Sequence, residues 1–326
     1  MRMVVLYWRM LRHRVAVMIL LFMLLGAAWH GDLATLDWPV APLVVALASS
    51  YVCATSVNDI ADREIDVINH PGDEARPLVT GAAKTKDLWL VFGASAALTV
   101  VPPLAVGPAA AGIMALSLAV GVLYSLPPVR LSYRTFLAPP TLAAAYVVIP
   151  FSVGVVIAGE RPGASDLPLV AALYLLFVGR IVLKDFRDRE GDAAHGKPTF
   201  LLRYGKKTTC LVSLAAVCAG DAFLTIALSE EWWLAVLLQA YVAGALIMLR
   251  RLYRVSGRTE EQLAIGVGAK LGNGLLITLL GVLVLASSGA DRANGATFVL
   301  ALMVFYAINF VGFLRRPDRA AIGYKR

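Results

Sequence analysis

Apolar residues run along this chain in long blocks, and the polar residues are confined to the gaps between them. A bilayer-crossing helix needs about 20 mostly apolar residues, with a range of roughly 17–25. Ten blocks meet that length, over approximately 14–31, 38–58, 87–106, 109–125, 136–158, 166–184, 208–229, 232–250, 260–286 and 295–314. The stretch 87–125 is nearly continuous, but Pro102, Pro103 and Pro108 break it into two helices joined by a tight turn. The pattern predicts an all-α, polytopic transmembrane bundle of nine to ten helices. It forms a single domain over 1–326, with no soluble domain of any size.

Composition agrees with this. The chain is 59% hydrophobic and 16% charged, against roughly 25% charged in an ordinary soluble domain, and its mean hydropathy is +0.73. A net charge of +8 would suggest nucleic acid in a soluble protein. Here the basic residues sit in loops between apolar blocks, which fits anionic headgroups and membrane orientation and excludes a nucleic-acid partner. Cys53, Cys210 and Cys218 lie in or beside apolar blocks without metal-ligand spacing, so neither a disulfide framework nor a zinc site is expected. Arg2, Arg9, Arg12 and Arg14 precede an apolar run ending near Ala27 and Ala28, in the manner of a signal peptide. The alternation of spans requires this block, so it is read as a retained first helix.

Placing the blocks in alternation puts 27 of the 30 Lys and Arg residues on one side. Arg161 and Arg292 fall on the other, and Lys270 lies within a block. The asymmetry predicts that 1–14, 59–87, 125–135, 180–208, 250–258 and 315–326 face the cytoplasm, both termini included. The expected location is the cell membrane.

Two acidic motifs sit on that predicted cytoplasmic side. The second block ends in NDIADREID, with Asp59, Asp62 and Asp66, and the sixth ends in DFRDREGD, with Asp185, Asp188 and Asp192. Both follow the spacing i, i+3, i+7, which puts three carboxylates on one face of a helix. Stacked carboxylates repel one another unless cations neutralise them. Mg²⁺ suits this role, because it takes hard oxygen ligands and is usually shared between carboxylates and substrate phosphates. Arg76, Lys84, Lys86, Arg130, Arg134, Arg180, Lys184 and Lys197 lie close by in sequence and could contact diphosphate oxygens directly. One such motif alone is compatible with a solvated charged loop. Two with identical spacing, each directly after a span, point to a diphosphate site, and their separation of 126 residues suggests a duplicated helical unit. The loop pattern does not match an EF-hand calcium site.

The motifs resemble the UbiA superfamily of intramembrane prenyltransferases. The segment from Asn58 to Gly81, NDIADREIDVINHPGDEARPLVTG, matches the family's NDxxDxxxD followed by an RP-x-x-[ST]-G element. The segment KDFRDREGDAAHGKPT, from Lys184 to Thr199, matches its second acidic motif, and YSLPPVRLSYR, from Tyr124 to Arg134, its middle loop. This chain departs from the family in having Ser132 where the loop usually has Lys, and Phe200-Leu201-Leu202 where LPV is frequent. Family members are usually drawn with nine helices, against ten apolar blocks here. The resemblance implies transfer of a prenyl group from an allylic prenyl diphosphate to a lipophilic acceptor within the bilayer. It implies that Asn58, Asp59, Asp62 and Asp66 hold one Mg²⁺, and that Asp185, Asp188 and Asp192 hold another. It makes the nearby basic residues, with Tyr124, the diphosphate contacts. The spelling DREIDVIN-x-P is closer to the chlorophyll-synthase, homogentisate and archaeal glyceryl-lipid branches. A membrane terpene cyclase, a phosphoribosyltransferase and a transporter are the competing readings.

Within the apolar blocks, Asp221 and Lys270 are ionisable residues at similar depth, and an ion pair between them is expected. Asn273 and Asn309 are expected to form interhelical hydrogen bonds. Tyr51 shares a helix face with Asn58 and is a cavity-lining candidate, as is Tyr174. His70 and His195 read as surface histidines.

Overall fold

The computed structural model describes residues 3–35, 38–255 and 257–315. Arg2 and the basic tail 316–326, part of the orientation argument, lie outside the described residues. The described chain is helical throughout: α1 (Met3–Met10), α2 (His13–His30), α3 (Val40–Ala61), α4 (Arg63–Asn69), α5 (Thr85–Val106), α6 (Pro108–Ser125), α7 (Ala138–Ile157), α8 (Leu167–Ile181), α9 (Asp185–Ala194), α10 (Phe200–Ala227), α11 (Trp232–Arg254), α12 (Arg258–Ser287) and α13 (Arg292–Arg315). Ten spans, counting Ala164–Ala194 as one, are long and apolar enough to cross a membrane, and they match the ten blocks one for one, although Ala164–Ala194 runs well past the block 166–184 and Phe200–Ala227 begins well before the block 208–229. The chain is an integral membrane protein. The short helix α1 precedes the first span and has no counterpart in the block pattern.

Local chemistry sets the helix ends. Gly107, with φ +146°, separates α5 from α6, and Pro108 opens α6, where its missing N–H costs nothing. Asp62, at φ −108° and ψ 17°, is the joint between α3 and α4, so the first acidic motif is divided between two helices. The backbone bonds Asp62 N–H to Asn58 O and Asp66 N–H to Asp62 O, both 2.8 Å, still run across the joint. The second motif lies on α9 alone, entered through a 3₁₀ turn at Val182–Lys184.

Two compact units can be distinguished, divided near the middle of the sequence except that two short segments, 31–33 and 188–199, are exchanged between them. Residues 1–30, 34–162 and 188–199 form the first, and 31–33, 163–187 and 200–326 the second. In the first unit, α2 and α7 meet backbone to backbone. A Cβ on Gly26 would overlap the carbonyl of Phe151, and one on Gly154 the carbonyl of Met23. Such close small-residue contacts hold helices together where lipid removes the hydrophobic drive. Serine pairs add to this, with Ser50 Oγ and Ser117 Oγ 2.6 Å apart. In the second unit, Ser213 Oγ donates to Gly179 O at 2.6 Å, and Tyr241 OH meets Thr278 Oγ1 at 2.8 Å.

The expected Asp221–Lys270 pair does not form. Asp221 Oδ1 accepts from Gln239 Nε2 at 2.8 Å, because α11 returns beside α10 and brings a neutral donor within reach. Asn273 Oδ1 accepts from Arg180 at 3.3 Å between α12 and α8, as an interhelical bond should. Asn309 instead donates to Phe305 O within its own helix, at 2.7 Å.

Candidate active site

The first unit gathers acidic and basic side chains at the cytoplasm-assigned end of α3. Asp59, Asp62, Asp66 and Asp192 are nearly fully buried, at 2%, 4%, 6% and 3% exposure. Ionised carboxylates at such depth must be paired, and here the pairing is dense. Asp59 Oδ1 receives Arg12 at 2.5 Å and Arg76 at 3.4 Å, and Arg76 also bonds Asp66. Asp62 Oδ1 accepts from Arg130 at 3.2 Å, and its Oδ2 from Asn58 Nδ2 at 3.2 Å. Lys197 Nζ stands 3.1 Å from Asp62 and 3.6 Å from Asp192. One ammonium thus joins the two motifs.

Backbone positions make this possible. Lys197 follows the turn that ends α9, where its N–H bonds Asp192 O at 2.9 Å. Gly191 on α9 passes so close to α4 that a Cβ there would lie 2.5 Å from Ile65 O. The Gly191 N–H donates to Asn69 Oδ1 at 2.7 Å. Thr135 in the middle loop holds Pro198 O at 2.5 Å. Arg130 adopts a left-handed backbone, φ +40°, and its guanidinium lies 3.7 Å from the ring centre of Tyr133. Ser132, at the loop's departure position, is buried and its Oγ has no partner.

Four buried carboxylates (Asp59, Asp62, Asp66 and Asp192) are therefore interleaved with Arg12, Arg76, Arg130 and Lys197, and Asp188 pairs with His70. Burial pushes the Asp66 carboxyl up to about 7, against the pull of Arg76 and with help from Asp59. Among the described residues, no three His, Cys, Asp or Glu side chains converge on a metal position, since the arginines and Lys197 stand among the carboxylates. The donor set still fits Mg²⁺. It consists of hard oxygens, and Asp59 Oδ2 is buried without a hydrogen-bond partner, which is costly unless something else fills it.

Of the residues singled out in the sequence, Asn58, Asp59, Asp62, Asp66, Arg76, Arg130, Asp188, Asp192 and Lys197 come together in the first unit. Asp185, Lys184 and Arg180 belong to the second unit, with Arg180 bonded to Asn273. Tyr124 is buried at the end of α6. Lys84 and Arg134 are exposed, and neither joins the cluster. Three participants carried no signal recognised in the sequence. Arg12 looks like one more loop cation. His70, expected at the surface, places Nε2 3.2 Å from Asp188 with its side chain 13% exposed. Asn69 lies three residues after Asp66 on α4, a spacing that could have marked it. His195 fits its surface assignment, lying 3.7 Å from the exposed Glu64.

A sequence model of the UbiA prenyltransferase family matches residues 15–274. The chain is 30% identical over 233 residues to digeranylgeranylglyceryl phosphate synthase of Methanoregula boonei, covering 69% of this chain and 78% of that one. It is 27% identical over 206 residues to the chloroplastic chlorophyll synthase of Oryza sativa, covering 60% of this chain and 54% of that one. Its fold resembles that of a UbiA homolog from Archaeoglobus fulgidus solved with GPP and Mg²⁺, at TM-score 0.68 and 19% identity over 86% of this chain and 99% of the other. Both acidic motifs and the loop between them fall inside the matched span, and on that match the chain belongs to the UbiA prenyltransferase family.

Proposed function

We propose that this prenyltransferase ionises an allylic prenyl diphosphate at the acidic cluster of the first unit and passes the prenyl group to a lipophilic acceptor inside the bilayer. The single observation that carries this is Lys197, which links Asp62 of the first motif to Asp192 of the second. In this reading Asn58, Asp59, Asp62 and Asp66, with Asp185, Asp188 and Asp192, hold Mg²⁺. When bound, Mg²⁺ neutralises the departing diphosphate. Arg76, Arg130 and Lys197 already carry donors beside the carboxylates, and turning them onto phosphate oxygens replaces one charge-assisted bond with another. Arg180, Lys184 and Tyr124 are further diphosphate contacts. Lys84 and Arg134, exposed as they stand, belong to this set only if their loops move.

The cation left by ionisation needs a dry, electron-rich wall. Tyr51 lies seven residues before Asn58, buried on α3, and its ring centre is 6.1 Å from that of Tyr146. Tyr146 sits in a π-helical turn, Ala144–Val148, a distortion frequent at functional sites. Aromatic faces attract cations, and apolar surroundings limit quenching by water. The concentration of basic residues in the loops beside the cluster supports a cytoplasmic face for it. The names of the similar proteins favour a glyceryl-lipid or tetrapyrrole acceptor over a quinone precursor.

The test is product analysis with a labelled prenyl diphosphate of several chain lengths and a panel of acceptors. Labelled adduct that requires an added acceptor supports transfer. Product formed without any acceptor would make the enzyme a cyclase, and no product from any prenyl donor would overturn the reading.

A further inference from the structure

We propose that Arg12 is a positioning residue for Asp59, delivered by helix α1, and that it sets how tightly the cluster holds a divalent cation. This rests on the reading of Asp59 as a metal ligand. The family match begins at residue 15, so neither α1 nor Arg12 is part of it.

The arm is built to deliver this side chain. Leu6 and Met10 of α1 are buried in a core cluster with Val52, Leu78, Leu88 and Val91. Tyr7 OH meets Ser49 Oγ at 2.9 Å. The carbonyl of Met10, at the open end of α1 where carbonyls lack helical partners, accepts from Thr55 Oγ1 at 3.0 Å. The chain then bends at Arg12, which adopts φ +42°. An L-residue takes this conformation only when its surroundings impose it. Among the described residues, the two non-glycine positions with positive φ are Arg12 and Arg130, and each pairs with a carboxylate of the first motif.

At Asp59 the consequence is directional. Arg12 and Arg76 both hold Oδ1, leaving Oδ2 buried and without a partner. A carboxylate fixed through one oxygen presents the other as a ligand of set direction. Hydrogen bonds of this kind to metal-ligating groups typically change metal affinity about 10–100-fold when removed.

The experiment titrates the full chain in detergent with Mn²⁺ as the probe and reads the free ion by electron paramagnetic resonance. Arg12→Gln is expected to weaken Mn²⁺ binding about 10–100-fold, and Arg12→Lys to restore part of it. In turnover, Arg12→Gln should raise the Mg²⁺ concentration for half-maximal rate. Unchanged Mn²⁺ binding in Arg12→Gln overturns the role of Arg12 and leaves the metal reading standing. Absence of Mn²⁺ binding by the unaltered chain overturns both. Failure of Arg12→Lys to restore any binding would assign the loss to packing and overturn the proposal. Should Arg12→Gln not fold, Thr55→Val decides: it frees Met10 O without touching either charge, and it must weaken Mn²⁺ binding for the proposal to stand.

Discussion

Gly191 donates its backbone N–H to Asn69 Oδ1 at 2.7 Å, across 122 positions of sequence. This bond and the absence of a side chain on Gly191 bring α9 onto α4, and so bring Asp188 to His70 and Asp192 to the lysine it shares with Asp62. A Cβ at Gly191 would stand 2.5 Å from Ile65 O and 2.7 Å from Asn69 Nδ2. Backbone on one side and a bonded amide on the other leave it nowhere to go.

Gly191→Ala is therefore expected to cost about 1–3 kcal/mol through overpacking. The larger effect is on turnover, because a displacement of about 1 Å between reacting groups can cost on the order of 100-fold. Steady-state rates alongside a thermal unfolding scan would check this. An alanine variant with wild-type kcat/KM would remove the close approach from the account.

Lys197→Met removes the cation shared by Asp62 and Asp192. Breaking a buried pair costs about 3–5 kcal/mol, and the low end is expected here because Asp62 keeps Arg130. A divalent cation can supply the missing charge, so the loss of thermal stability should be larger in chelator than in Mg²⁺. Equal loss in both would mean that the two motifs do not share a cation site.

Asp221 lies inside a span yet is bonded to Gln239, far along α10 from either acidic motif in sequence. Asp221→Asn keeps an acceptor for that amide. Its stability change is expected to stay within about 1 kcal/mol, with full prenyl-transfer activity. A severe loss of activity with the fold intact would give this residue a part in the chemistry.

Much of this was legible in the sequence because membrane physics makes it so. In lipid every backbone group must be satisfied within its own helix, so apolar block length maps directly onto the ten spans. The acidic spacing likewise located Asp59, Asp62, Asp66, Asp188 and Asp192. What the sequence could not disclose is partner choice. The pattern of i, i+3, i+7 assumes one straight helix, whereas Asp62 is a joint between two. Depth alone suggested Lys270 for Asp221, but depth does not say which residue of a neighbouring helix faces it. Arg12 and His70 reach the cluster through a left-handed bend and a tertiary contact, neither of which leaves a spacing to read. The basic residues Lys84 and Arg134 were near in sequence but turn outward, since a loop has no period to fix its side chains.

The measurement that tests the central claim most directly is release of inorganic diphosphate from an allylic prenyl diphosphate by the purified protein, with Mg²⁺ or with chelator. It would compare the unaltered chain with Asp62→Asn and Asp192→Asn. The account predicts release that requires Mg²⁺ and falls by a factor of 100 or more in each variant, on the order of 2.7 kcal/mol or more of lost transition-state stabilisation. Mg²⁺-dependent release undiminished in both variants would contradict it, because the two motifs would then not form one ionisation site.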